Sequence, residues 1–349
     1  MEKNNKTLNV PHLRFPEFSG PWKNQELQSI APNISSGKDK PNNEGAVVLY
    51  GSTGIMGYTT SESYKNEIVI VARVGANAGQ LQLVNIPCGV TDNALVVNAK
   101  SWNKYVFYYL QHFNLNKLVF GSGQPLITGG MLKKIKIWAG DNAERNKIVH
   151  LLSLIEERID TQKKIIEKYE SLIRGLCENL TRQGTANKTI DECLECHSST
   201  LQENAVLDAG RYPVYGATGV CGYTDAPEAS GDGILIIKDG ASVGVTHFAN
   251  GSYSSIGTLN RLTAKKDINL RYVYYCLKVL NFTPYKTGLA IPHIYFKDYG
   301  KHKIWCPTLE QQSRIADALT TIDDKIQVEK SLLEQLNSQK RYMLNQLFI

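Results

Sequence analysis

Cys193-Leu194-Glu195-Cys196-His197 has the spacing by which a chain takes up haem c, and its residue types come nearest to bond-making chemistry here. That attachment needs an exported protein, yet Met1-Glu2-Lys3-Asn4-Asn5-Lys6 opens onto no apolar run. A zinc site would need two further close ligands, and Cys88, Cys177, Cys221, Cys276 and Cys306 supply no second pair. The spacing is read as coincidence. The sequence also lacks a Gly-x-x-x-x-Gly-Lys-Ser/Thr phosphate loop, a Gly-x-Gly-x-x-Gly turn after a strand, an Asn/Asp-Pro-Pro-aromatic methyltransferase signature and a His-Glu-x-x-His pair. Gly121-Ser122-Gly123 is too short to count. Nothing recommends an active site, so the chemistry to look for is recognition.

Two cations stand out for that purpose. Arg73 follows the apolar run Ile68-Val69-Ile70-Val71, Lys238 follows Ile234-Leu235-Ile236-Ile237, and each precedes a glycine by two residues. Such a cation suits a phosphate, and a solvated strand end explains it equally well. Their matched placement belongs to a longer repeat. Tyr50-Gly51-Ser52-Thr53-Gly54-Ile55-Met56-Gly57-Tyr58-Thr59 returns 165 positions later as Tyr215-Gly216-Ala217-Thr218-Gly219-Val220-Cys221-Gly222-Tyr223-Thr224, with seven of ten residues identical. At an offset of 167, Tyr105-Val106-Phe107-Tyr108 meets Tyr272-Val273-Tyr274-Tyr275, Pro125 meets Pro292, and Lys136-Ile137-Trp138 meets Lys303-Ile304-Trp305. A period this long exceeds solenoid repeats, so each copy is expected to be a whole globular unit. Leu194 aligns with Leu27 of the first copy and reads as an ordinary strand or helix start.

The 349 residues, 42% of them hydrophobic, suffice for two cores. No apolar run reaches the length of a membrane span, and seven scattered cysteines read as reduced thiols, so a cytoplasmic location is expected. The net charge of +6 comes from the globular stretches: residues 1–143 carry 14 Lys+Arg against 9 Asp+Glu, and 181–309 carry 13 against 11. This fits a polyanionic partner without requiring one.

Within each copy the β-branched runs predict buried strands, the glycine-punctuated decapeptide predicts tight turns, and Tyr105 to His112 and Tyr272 to Val279 predict short amphipathic helices. The fold class is α+β. A long helix then closes each copy. Leu152, Ile159, Ile166, Ile173 and Leu180, with Ile148, Ile155, Gln162, Tyr169 and Leu176, form two heptad seams in the first. Leu319, Ile326, Leu333, Lys340 and Leu347, with Ile315, Ile322, Glu329, Leu336 and Met343, form them in the second. Asp141 three residues before Glu144, and Thr308 three before Gln311, place near-capping boxes at both starts. A rod of this length, roughly 60 Å at 1.5 Å per residue, exceeds a small domain, so the two helices should pack together as a coiled coil. The polar positions Gln162 and Glu329 could fix its register or leave a wet spot.

The expected plan is a first domain over 1–140 with an N-terminal segment 1–20, a central helix over 141–180, and a linker over 181–188. A second domain over 189–307 and a C-terminal helix over 308–349 complete it.

This plan, with Val10-Pro11-His12-Leu13-Arg14-Phe15-Pro16-Glu17-Phe18-Ser19-Gly20-Pro21-Trp22, the Tyr-Gly-x-Thr-Gly-x-x-Gly-Tyr turns and Pro307-Thr308-Leu309-Glu310-Gln311-Gln312, resembles the specificity subunits of type I restriction-modification systems. Asp141-Asn142-Ala143-Glu144-Arg145 departs from the family's Pro-x-x-x-Glu-Gln helix start. The resemblance implies two pseudo-symmetric target recognition domains joined by the two helices as an antiparallel coiled coil, each domain reading half of a bipartite site in double-stranded DNA. It implies a non-catalytic chain that docks two methylation subunits and, where cleavage occurs, two restriction subunits. S-adenosylmethionine, ATP and Mg are then expected on those partners, with no membrane association. The alternative is a tandem carbohydrate- or peptide-binding module.

If the copies share a fold and read different half-sites, identical positions should serve turns, phosphate or partners, and readers should differ. The divergent sites are Ser52 against Ala217, Asn77 against Ser242, Gln124 against Ile291 and Leu126 against His293. Amide side chains can pair bidentately with adenine. Candidate DNA contacts are Lys38, Lys40, Ser52, Thr53, Arg73, Asn77 and Gln124 in the first domain, and Thr218, Lys238, Ser242, Lys286 and His293 in the second. Gln124 and the Pro292-His293 turn are the favoured readers, each weighed against an ordinary surface role.

Overall fold

The structure, a computed structural model, describes residues 9–120, 125–288 and 290–349. It divides into two units, Met1–Gln162 with Leu332–Ile349, and Lys163–Ser331.

In the first unit, β1 (Lys23–Glu26) leads into the short helix α1 (Leu27–Ile30), followed by β2 (Ser35–Ser36), β3 (Val47–Gly51), β4 (Gly54–Thr59) and β5 (Ile68–Ala72). Then come β6 (Leu81–Val84), β7 (Cys88–Val90), β8 (Ala94–Val97), α2 (Asn103–Phe113), α3 (Gly129–Lys133), β9 (Lys136–Ala139) and the start of α4 (Asn142–Leu180). One sheet runs β2-β8-β5-β6, a second β4-β3-β7, and β1 pairs with β9. Strand β5 is apolar throughout because both its faces are covered. Val69 and Val71 point into a core with Tyr105, Val106 and Leu110 of α2, while Ile68 and Ile70 pack with Val90 and Val96. Successive side chains alternate between faces, so a doubly covered strand has no polar position.

The second unit repeats this order with one strand added. It holds β10 (Lys188–Thr189), α5 (Ile190–Cys193), β11 (Leu194–Ser198), β12 (Tyr212–Gly216), β13 (Gly219–Thr224), β14 (Ala229–Ser230) and β15 (Gly233–Ile237). β16 (Thr246–Ala249), β17 (Ser252–Ser255), β18 (Leu259–Ala264), α6 (Leu270–Lys278), α7 (Phe296–Tyr299), β19 (Lys303–Ile304) and the start of α8 (Leu309–Leu347) follow. Its sheets are β11-β18-β15-β16 and β13-β12-β17-β14, with β10 on β19. Ile234 and Ile236 face the core that holds α6, and Leu235 and Ile237 face the other sheet. The architecture is α+β, as expected. Leu194 opens a strand and Leu27 a helix; by topology the counterpart of Leu27 is Ile190, which opens α5 after β10.

Each long helix has 39 residues. In the first unit Ile148 and Leu152 of α4, with Leu344 and Leu347 of α8, enter the domain core, and Ile155, Ile159 and Leu336 form a separate cluster. In the second unit Ile173 and Cys177 of α4 do the same with Ala316, Leu319 and Ile326 of α8. Within each unit the helix segments therefore run antiparallel and share one apolar seam. Each large aliphatic side chain so buried contributes about 1.5–3 kcal/mol. The polar seam positions Gln162 and Glu329 are both buried, and Glu329 accepts Lys325 Nζ at 2.6 Å. Lys340 is held by Glu156 at 2.6 Å.

Both helix starts are capped: the Glu144 amide donates to Asp141 Oδ1 at 2.8 Å, and that of Gln311 to Thr308 Oγ1 at 3.4 Å. Among the described residues no helix is long and apolar enough to cross a membrane, and no cluster of three His, Cys, Asp or Glu is arranged for a metal. Cys193 ends α5 in the core, and Cys196 lies in β11.

Candidate nucleic-acid interface

In the first unit, three loops meet at one end of β5. The β3–β4 hairpin closes with Gly51 opposite Gly54, leaving Ser52 and Thr53 at its tip, and Gly54 takes φ +106°, where a Cβ would be strained. Arg73 leaves β5 with its amide on the Asn93 carbonyl at 2.9 Å and its own carbonyl accepting from the Ile127 amide at 2.9 Å. The backbone on both sides of this cation is fixed. Gly75 then donates to the Pro125 carbonyl at 3.0 Å, joining the Asn77 turn to the 125–127 stretch. Thr91 donates to the Tyr50 carbonyl at 2.9 Å, so residues 91–93 tie the hairpin to Arg73.

The second unit is stitched by corresponding bonds. Lys238 donates to Thr258 at 3.0 Å and accepts from Ile294 at 2.9 Å, Gly240 donates to Pro292 at 3.0 Å, and Ile256 donates to Tyr215 at 2.9 Å. Thr218 sits at the tip of the β12–β13 hairpin, whose Gly219 takes φ +112°. The backbone scaffold of the two loop clusters is thus the same bond for bond, while side chains on it differ. At one β-bridge the first unit places Val74 against Leu126, and the second places Asp239 against His293. There His293 Nδ1 lies 2.6 Å from Asp239 Oδ1.

The candidate residues distribute as follows. Ser52, Thr53, Arg73 and Asn77 share the first cluster, where Asn77 Oδ1 accepts from Gln80 Nε2 at 2.9 Å and Arg73 Nη1 reaches the Asp92 carbonyl at 3.4 Å. Gln124 lies outside the described residues. Lys38 and Lys40 are exposed on a segment running beside β7 and β8, pinned by Asp39, which accepts from the Val90 amide at 2.8 Å and from Ser63 at 2.7 Å. Thr218, Lys238, Ser242, Lys286 and His293 share the second cluster, with Lys286 exposed beside the Thr287–His293 bridge. Burial lifts the Cys88 thiol to about 11 and raises the Tyr50 hydroxyl, so both stay protonated beneath the first hairpin.

Sequence reasoning set the exposed Ile291 against Gln124 but passed over two exposed aromatic side chains of these clusters, Phe120 in the first and Tyr295 in the second. It also passed over Val74 and Asp239, although the repeat alignment sets them opposite each other. The signal was a divergent pair inside a shared turn; what the alignment lacked was the bridge partner. Ile55, Met56 and Tyr58, and their counterparts Val220, Cys221 and Tyr223, are exposed on the hairpins, an arrangement that turn geometry does not explain.

Comparison with known proteins matches the profile of the type I restriction modification DNA specificity domain twice, over residues 19–171 and 185–338. The type I restriction enzyme MjaVIII specificity subunit of Methanocaldococcus jannaschii is 33% identical over 118 residues, 33% of this chain and 28% of that one. The EcoprrI specificity subunit of Escherichia coli is 25% identical over 134 residues, 38% of this chain and 32% of that one. The matches thus span about a third or less of these two relatives. The crystal structure of a type I restriction-modification system S subunit from M. genitalium shares the fold with a TM-score of 0.71 at 19% identity, over 97% of this chain and 99% of that one.

Proposed function

The chain belongs to the type I restriction-modification DNA specificity family, whose specificity subunits bind DNA and assemble with other subunits, and from that premise we propose that it reads a bipartite site in double-stranded DNA. Each recognition domain, over 1–140 and 189–307, takes one half-site. The helices over 141–180 and 308–349 act as the ruler between them, favouring half-sites about one turn, ~34 Å, apart. The chain itself is non-catalytic. Two methylation subunits dock on it and bind S-adenosylmethionine, and restriction subunits, where present, bring ATP and Mg. It works in the cytoplasm.

One observation carries this reading: the loop clusters at Arg73 and Lys238 keep the same backbone hydrogen bonds while their bridge side chains change from Val74–Leu126 to Asp239–His293. A fixed scaffold with variable side chains is what two readers of different sequences need. Phosphate contacts position a protein and base contacts specify, so the matched cations Arg73 and Lys238 suit the first role and the divergent residues the second. Mapping adenine methylation across a host genome with and without this gene tests the proposal. The expected result is a bipartite motif that disappears with the gene. Exchanging the first domain should then alter one half-site only; if both halves changed together, independent reading would be wrong.

A further inference from the structure

Positions 74 and 126, and their counterparts 239 and 293, face each other across an isolated β-bridge, and the flanking bonds hold that bridge alike in both units. Leu126 and Phe120 exchange amides and carbonyls at 3.0 and 3.3 Å, as His293 and Thr287 do at 2.8 and 2.9 Å. The backbone therefore delivers one pair of side chains to the same place twice, and only the chemistry of the pair differs. In the second unit the pair is polar and about one-third exposed. In the first it is a half-buried aliphatic contact.

A carboxylate oxygen only accepts, so the ring nitrogen 2.6 Å from Asp239 Oδ1 must carry hydrogen. In the neutral ring this fixes the tautomer, placing the proton on Nδ1 and the lone pair on Nε2. Among the described residues Nε2 has no hydrogen-bond partner, and it is absent from the buried atoms left unsatisfied. It is an acceptor open to solvent, at a bridge flanked in the chain by the exposed Lys286 and Ile291.

We infer that the pair across this bridge selects a base in each half-site. Asp239, a positioning residue, presents His293 Nε2 as an acceptor for an exocyclic amino group, adenine N6 or cytosine N4, in the major groove. Guanine offers only acceptors on that edge, and thymine an acceptor and a methyl, so neither satisfies a bare lone pair. At the matching place in the first half-site, Val74 and Leu126 offer only apolar surface, suited to a thymine methyl. The inference rests on the DNA-reading function proposed above and adds to it which chemical group is read, and by which atoms.

The test uses the full chain with its methylation subunits. Adenine methylation is mapped in cells for the wild type, for Asp239→Asn, and for the double variant Asp239→Val with His293→Leu. The purified complexes are also titrated with duplexes bearing each of the four bases at the position affected. The isosteric amide can accept from or donate to Nδ1, so Asp239→Asn should cost about tenfold or more in discrimination at one position of the second half-site. The first half-site should be unchanged, and the double variant should move that position toward thymine. A purely structural pair would weaken all duplexes alike with the motif intact, and that result overturns the inference. So does a wild-type preference for guanine at the position. A wild-type complex with no bipartite motif refutes the proposed function itself, a different outcome from a bipartite motif indifferent to Asp239.

Discussion

Lys340 Nζ lies 2.6 Å from Glu156 Oε1, and the Tyr108 hydroxyl donates to Glu156 Oε2 over 2.8 Å. One carboxylate thereby joins α2, α4 and the end of α8 in the first unit. The second unit reaches the same end with another cation. Tyr275 donates to Thr320 Oγ1 at 3.1 Å and lies 3.5 Å from Asp323 Oδ2, while Lys278 of α6 sits 3.1 Å from that oxygen. Tyr275, Thr320 and Asp323 stand 167 positions after Tyr108, Ser153 and Glu156, but the residue 167 before Lys340 is Ile173. The charge that interrupts the second heptad seam is thus the counter-ion of an acid in the first. Burial raises the Tyr108 hydroxyl above its ordinary value, so it remains a donor.

Removing that acid should loosen the whole joint. Glu156→Ala leaves the Lys340 ammonium, 18% exposed, without its partner and the Tyr108 hydroxyl with Ser153 alone. A loss of about 2 kcal/mol is expected, because stranding one member of a partly buried pair costs more than the pair contributes. Glu156→Gln keeps an acceptor and should lose less. Denaturant midpoints of the two variants, compared at equal slope, give the answer.

Arg14 holds Glu144 with two bonds, Nε to Oε1 at 2.7 Å and Nη2 to Oε2 at 2.9 Å, and the carboxylate side chain is only 2% exposed. Arg14→Ala should therefore destabilise the first unit by about 3 kcal/mol, since a buried charge is left unpaired. Arg14→Lys should recover only part of this, because a point charge cannot reproduce the planar fork. A lysine variant as stable as the wild type would show that geometry at this pair is unimportant.

The same pair marks where the sequence stopped being readable. The Asp141–Glu144 spacing predicts a near-capping box, and the amide of Glu144 does meet Asp141; its carboxylate, however, goes to a residue 130 positions earlier, which no local spacing reveals. The duplicated decapeptide was legible because it occurs twice, and the run at Ile68 and the 39-residue helices because the pattern of each is complete within its own segment. The bridge between Val74 and Leu126 was not, because it depends on a return of the chain after some 50 residues. Sequence comparison found Leu126 and His293 as divergent; only three dimensions supplied Asp239 as the group that sets what His293 can accept. Lys340 stands in the sequence only as a charge among apolar seam positions for the same reason, its partner lying far away in the chain.

Stability should fall on mild acidification. Burial pushes both His112, at the end of α2, and His302, beside Tyr285, below the ordinary 6.5. Both are favoured as neutral rings in the folded chain, so the unfolded chain takes up protons first. Stability is then intact above the ordinary value and is lost as pH drops through it toward the lower native values. Denaturant midpoints should decline from about pH 7 to about pH 5, and His112→Gln with His302→Gln should flatten that decline. An unchanged slope in the double variant would place the acid sensitivity elsewhere.

Arg73 and Lys238 should act on affinity without acting on sequence. The backbone of each is fixed on both sides, and each occupies the same place in a scaffold whose neighbouring side chains differ, as a phosphate contact common to both proposed half-sites would require. Arg73→Gln should weaken binding of matched and mismatched duplexes alike and reduce the slope of log affinity against log salt by about 0.9 per lost contact. Lys238→Gln should do the same, with the methylation motif unchanged in both variants. If either substitution altered the preferred base while leaving the salt slope intact, the cation would be a reader, and the division of labour between invariant and divergent residues would have to be drawn elsewhere in the loop.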